Sequence, residues 1–106
     1  MAFTYLLKDA PLPYCKGCGH GFVTKALGRA LEQLQLDPAD AVIVTDIGCV
    51  GLAEVMFDTP HLVHTTHGRS PAFAIGLGLA DSVLGAATMK PIVLIGDGGA
   101  TIGVSH

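Results

Sequence analysis

Two short β-branched runs constrain this chain most: AVIVT at residues 41–45 and PIVLI at 91–95. Each ends directly in a turn made of aspartate and glycine, DIG in the first case and GDGG in the second. Runs without polar alternation are what strands of a parallel sheet need when helices cover both faces. Between and before them lie helical patterns. FVTKALGRALEQLQL puts Val23, Leu27, Ala30, Leu31 and Leu34 on one face, with Lys25, Arg29, Glu32 and Gln33 largely opposite. DPAD ends that helix. GLAEVMF reads as a short helix and HLVHT as a brief second strand. Ser70 as N-cap and Pro71 at the first helical position open a helix predicted to run to about Gly85. The order is that of an α/β fold with a parallel sheet and flanking helices.

With 106 residues, the chain is one domain at most, 1–106, with a cysteine-containing arm at 1–21. It stops in GDGGATIGVSH, just after its most strand-like segment, which would leave 91–95 uncovered on one face. The sequence therefore reads as an incomplete α/β domain. Half its residues are apolar and 14% are charged, which implies apolar surface left for a partner. A net charge of −3 with six Lys and Arg makes no basic patch, so nucleic acid is not expected. PAFAIGLGLADSVLGAA is short and carries Asp81, so it is expected to be a buried helix and not a membrane span. Lys8 is followed by Asp9, Pro11 and Pro13, unlike a signal peptide. Three cysteines without a secretion signal favour the reducing cytoplasm, and metal or redox chemistry over disulfides.

Three segments carry chemistry. In PYCKGCGHG, Cys15 and Cys18 stand three apart on a glycine loop and can point to one centre, as zinc or an iron–sulfur cluster requires. Cys49, in DIGCVG, follows strand 41–45, where doubly wound sheets gather functional groups. A fourth ligand would come from His20, from His61, His64 or His67, or from further sequence. Unliganded thiols are the plain alternative. A thioredoxin-like pair would follow a strand, whereas a proline-containing arm precedes this one. In GDGG, Gly96 and Gly98 allow a ligand close to the backbone, and Asp97 offers the hard oxygen that suits Mg²⁺ on a diphosphate. An isolated GDG is more often a plain turn, and neither GxGxxG nor a Walker A lysine is present. In HTTHGRSPA, His67 and Arg69 flank Gly68 and could hold an anion. For each residue alone, a loop-capping histidine or an ion-paired arginine is the commoner reading.

Taken together, PYCKGCGHG, VTDIGCVG, HTTHGRSPAFAIGLGLA and VLIGDGGATIG resemble, in order and spacing, the thiamine-diphosphate-binding β subunit of 2-oxoacid:ferredoxin oxidoreductases. The resemblance runs from about Pro13 to His106 and covers only the opening part of such a subunit. It implies a truncated thiamine-diphosphate-binding fold. It implies Cys15, Cys18 and Cys49 as three of four ligands to a 4Fe-4S cluster, and Asp97 as a Mg²⁺ ligand. Gly48, His67, Gly68, Arg69, Gly96, Asp97, Gly98 and Gly99 match segments lining the cofactor cleft. The implied activity is oxidative decarboxylation of a 2-oxo acid to an acyl-CoA, with electrons leaving through the cluster to ferredoxin. In the family, the glutamate that activates the cofactor comes from the α subunit. Neither Glu32 nor Glu54 lies in a cleft motif, so no catalytic residue is assigned here and the chain alone is expected to be inactive.

The chain departs from the family pattern in three places. The fourth cysteine and the second, asparagine-containing metal segment have no counterpart, and Val104-Ser105-His106 stands where many relatives read Gly-Asn-His. Two other readings stay open: a noncatalytic zinc module using Cys15, Cys18, Cys49 and a histidine, or an inactive remnant that only docks to a partner.

Overall fold

A computed structural model describes residues 4–7, 12–85 and 87–104; Ser105 and His106, at the Gly-Asn-His position, lie outside them. Three parallel strands form the sheet: β1 (Ala41–Thr45), β2 (His61–His64) and β3 (Lys90–Leu94), in the order β2-β1-β3. The register pairs Val42 with His61 and Ala41 with Lys90. β1 is central and buried along its whole length, as its unbroken β-branched run predicts. β3 is an edge strand and only half-buried, a setting that tolerates Pro91, which has no amide proton for a ladder.

Helices α1 (Gly19–Leu34), α2 (Ser70–Leu84) and α3 (Asp97–Ile102) surround the sheet, with a 3₁₀ run over Cys49–Met56. The alternation of β1 divides the core in two. Ala41 and Ile43 face a cluster of Tyr5, Tyr14, Leu31, Val50, Ala53, Met56, Phe57 and Leu94. Val42 and Val44 face the other way, onto Ala74 of α2, with Leu77 and Val93 alongside. Ile43 and Val44 are fully buried, and each such side chain contributes about 1.5–3 kcal/mol relative to exposure.

The inward face of α1 differs from the one its apolar spacing predicts. Gly21, Thr24, Gly28 and Leu31 are buried, whereas Val23 and Leu34 are 55% and 74% exposed. The N-terminal arm causes this rotation. Leu6 lies over Gly28 so closely that a Cβ there would come within 2.5 Å of Leu6 Cγ. The Tyr5 amide donates to Glu32 at 3.1 Å, which ties the arm to the same side of the helix. Ser70 also differs from expectation: Arg69 holds the N-cap position of α2, without a side-chain cap bond, and the Ser70 hydroxyl pairs with Thr65 instead. The surplus apolar side chains lie on helix surfaces, notably Phe22 of α1 and Ile75, Leu79 and Val83 of α2.

Candidate cofactor cavity

A cavity of about 310 Å³ opens at the carboxyl ends of β1 and β3. In open α/β sheets this is where ligands bind, because loops leaving adjacent strands diverge there. Its walls are mostly backbone. Gly48 (φ 115°) follows β1, and Gly96 follows β3; a Cβ at either would meet no atom within 4 Å, so both leave the cavity open. Asp97 and Gly98 begin α3, and the exposed Asp97 carboxylate belongs to the wall. Cys49, His67 and His20 complete the polar part of the lining.

Behind this wall stands Asp46, the residue after β1, fully buried. Its carboxylate accepts from the Ile47 amide at 2.8 Å and from the Gly68 amide at 2.9 and 3.0 Å. His67 Nδ1 lies 3.5 Å from Oδ1. Burial pushes the Asp46 carboxyl up, but the hydrogen bonds from the Ile47 and Gly68 amides, with the His67 ring nearby, outweigh it and hold the pKa below its ordinary value of 3.8. Gly68 has to be glycine twice over. Its φ is 77°, and a Cβ would come within 2.5 Å of Ile102 Cγ2 on α3. A single carboxylate thus joins the DIG, HGR and GDGG segments, with Gly99 of α3 packed against it.

The expected cofactor residues divide accordingly. Gly48, His67, Gly96, Asp97, Gly98 and Gly99 line one cavity. Gly68 is buried and supports the wall through Asp46, and Arg69 is exposed and outside the lining. Asp46 stood within the quoted VTDIGCVG segment, but nothing in its spacing assigned it a role. The available signal was an ionisable residue directly after a wholly apolar strand, a position that becomes buried and requires donors.

The cysteines are brought near one end of the sheet but not into one group. Cys15 and Cys49 are exposed and Cys18 is half-buried; all three are free thiols. Gly17 (φ 83°) turns the loop, and the Cys18 amide donates to the Cys15 carbonyl at 2.9 Å. Cys18 then takes the N-cap position of α1, so the loop opens a helix although no strand precedes it among the described residues. The Tyr14 hydroxyl donates to the Val50 carbonyl at 3.1 Å, which ties the residue before Cys15 to the residue after Cys49. Burial raises the Tyr14 pKa; a side-chain hydrogen bond with Thr24 opposes the rise, and Cys18 and Cys49 add to it. Among the described residues, no three His, Cys, Asp or Glu side chains gather closely enough to hold a metal ion. His64 is drawn away to Thr45 Oγ1, at 3.4 Å, and His61 lies on the edge strand β2.

A larger cavity of about 520 Å³ lies between Leu12 and the Phe22–Lys25–Arg29 flank of α1. It borders Cys18 but has neither the aspartate nor the glycine strand ends that line the smaller cavity. No helix among the described residues is long and apolar enough to cross a membrane.

No protein-family model matches the chain. It is similar to subunit beta of 2-oxoacid:ferredoxin oxidoreductase 1 from Aeropyrum pernix, at 42% identity over 99 residues, 88% of this chain and 28% of that protein. It is similar to the 2-oxoglutarate synthase subunit KorB of Methanocaldococcus jannaschii, at 36% identity over 99% of this chain and 37% of that one. Among solved structures it is similar to the 2-oxoglutarate:ferredoxin oxidoreductase from Magnetococcus marinus with 2-oxoglutarate, coenzyme A and succinyl-CoA bound. The TM-score is 0.81 at 30% identity, covering 96% of this chain and 33% of the other. The chain spans about a third of the length of these relatives.

Proposed function

Because this chain is homologous over most of its length to 2-oxoacid:ferredoxin oxidoreductase β subunits, we propose that it supplies the diphosphate-holding part of such an enzyme's active site. The complete enzyme would oxidatively decarboxylate a 2-oxo acid to an acyl-CoA and pass the electrons to ferredoxin, with an α subunit completing the site. One observation carries the reading: Asp97 borders a cavity walled by Gly48, Gly96 and Gly98 at two parallel strand ends. An exposed carboxylate beside side-chain-free backbone fits a Mg²⁺–diphosphate group: Asp97 would offer the hard oxygen that Mg²⁺ takes, and the glycine backbone would leave room for the diphosphate. Thiamine diphosphate, when bound, supplies the electron sink for decarboxylation. Asp97 would ligate the metal, the glycines would admit the diphosphate, and the Asp46-anchored HGR loop keeps His67 in the cavity lining.

Cys15, Cys18 and Cys49 are proposed as three thiolate ligands of an iron–sulfur cluster. The donor set fits, since all three are free and partly or fully exposed, and their segments are tied through Tyr14 and Val50. Binding would draw together thiols that do not yet converge. A noncatalytic zinc module is not favoured: it leaves the Asp97 cavity unexplained, and the relatives are oxidoreductase subunits.

The test is calorimetric titration of thiamine diphosphate with Mg²⁺ into the assembled enzyme, wild type against Asp97→Ala. Binding is expected to be lost in the variant while its iron content stays unchanged. Undiminished affinity would make GDGG only a turn and remove the cofactor assignment.

A further inference from the structure

Three segments meet at Asp46, yet a support for backbone alone would need only hydrogen-bond acceptors. Thr45 shows how a neutral side chain serves at the same sheet end, its hydroxyl donating to the Val63 carbonyl at 3.4 Å. The fully buried carboxylate does something more, because it also stands beside an imidazole. His67 Nδ1 is 3.5 Å from Oδ1, long for a hydrogen bond but within ion-pair reach, and such contacts tighten when a ligand closes a site. The rest of the ring points elsewhere. Nε2 and Cε1 are the atoms nearest Gly98, at 3.7 and 3.9 Å from the position a Cβ would take there. His67 and Gly98 line the same cavity, and the histidine side chain is 40% exposed.

We propose that Asp46 is a positioning residue: it holds His67 by a proton on Nδ1 and turns Nε2 to the ligand in the cavity, beside Gly98. An ionised carboxylate accepts only, so Nδ1 has to carry a proton, and Nε2 is the nitrogen left facing the cavity. The two amides that Gly68 and Ile47 give to Asp46 keep the carboxylate from rotating away. Gly68 is the next residue along the chain from His67, so the bond that anchors the loop also sets the ring. The ligand part of this inference rests on the cofactor reading above; the tautomer part does not.

Long-range ¹H–¹⁵N spectra of the full chain read the tautomer directly, with His67→Gln identifying the resonance. Wild type is expected to show His67 with its proton on Nδ1. Asp46→Asn keeps an oxygen for the Gly68 amide but loses the acceptor-only character, and is expected to move the proton toward Nε2. In the assembled enzyme, Asp46→Asn leaves the His67 ring without its anchor and is expected to weaken binding of thiamine diphosphate with Mg²⁺ by roughly tenfold. A wild-type His67 protonated mainly on Nε2 overturns the proposal, and that measurement stands even where the variant fails to fold. An unchanged tautomer in a folded Asp46→Asn overturns it as well. An Nδ1–H His67 in wild type, shifted in the variant, with no thiamine diphosphate binding in wild type, supports Asp46 as the positioning residue and overturns the cofactor reading instead.

Discussion

Gly99 lies so close to Asp46 that a Cβ at position 99 would take space held by Oδ2 of the buried carboxylate. Both oxygens of that carboxylate accept from the Gly68 amide, so it has nowhere to move. Two effects compete in Gly99→Ala. Alanine gains about 1 kcal/mol over glycine in a helix, while overpacking a tight site costs about 1–3 kcal/mol. Since Asp46 is buried and held by two amides, overpacking wins. Gly99→Ala is expected to lower the urea midpoint. Gly96→Ala meets no atom within 4 Å, so it is expected to leave stability within about 0.5 kcal/mol and to weaken ligand binding. Equal midpoints for Gly99→Ala and wild type would contradict the packing described.

Acid stability provides a second check. The folded-state pKa of Asp46 is lowered, so its ionisation stabilises the fold above the unfolded value, near 3.8. That contribution is lost as pH falls from there through the lower folded value. Wild type is therefore expected to lose stability more steeply below about pH 4 than Asp46→Asn, in which position 46 does not titrate. Urea unfolding of both proteins between pH 6 and pH 2 measures the difference, and parallel curves would show that Asp46 is not held ionised.

Tyr14→Phe removes one buried hydrogen bond, from the Tyr14 hydroxyl to the Val50 carbonyl. The expected loss is about 0.5–1.5 kcal/mol, the net worth of such a bond. The same bond ties the Cys15–Cys18 loop to the Cys49 segment. Iron-loaded Tyr14→Phe is therefore also expected to release iron to a chelator faster than wild type. If release were equally fast in both, the tether would have no part in arranging the thiols.

Under the proposed ligand set, Cys15→Ser and Cys49→Ser should reduce iron bound after anaerobic reconstitution to a similar extent. The two thiols come from segments that are far apart in the chain and meet only through the fold. Full retention in Cys49→Ser would remove that residue from the set, and stoichiometric zinc with no iron uptake would favour the zinc module.

The sheet was legible in the sequence because its signals are local. AVIVT is a strand over the same five residues in the structure, and the strand at PIVLI is displaced by only one residue. Continuous β-branched runs stopped by aspartate and glycine leave little else for the backbone to do. The glycine and aspartate turns after those strands also marked the cavity, since strand ends in a parallel sheet all open on the same side. Two features were decided only by tertiary structure. The inward face of α1 is set by Leu6 packing on Gly28, a contact between arm and helix that outweighs the apolar spacing which would have buried Val23 and Leu34. The role of Asp46 is set by the Gly68 amide and the His67 ring, both more than twenty residues away. Helical and strand periods describe a chain's relation to its near neighbours. They carry no information about which loop will later deliver an amide to a buried charge, and in this protein that delivery organises the site.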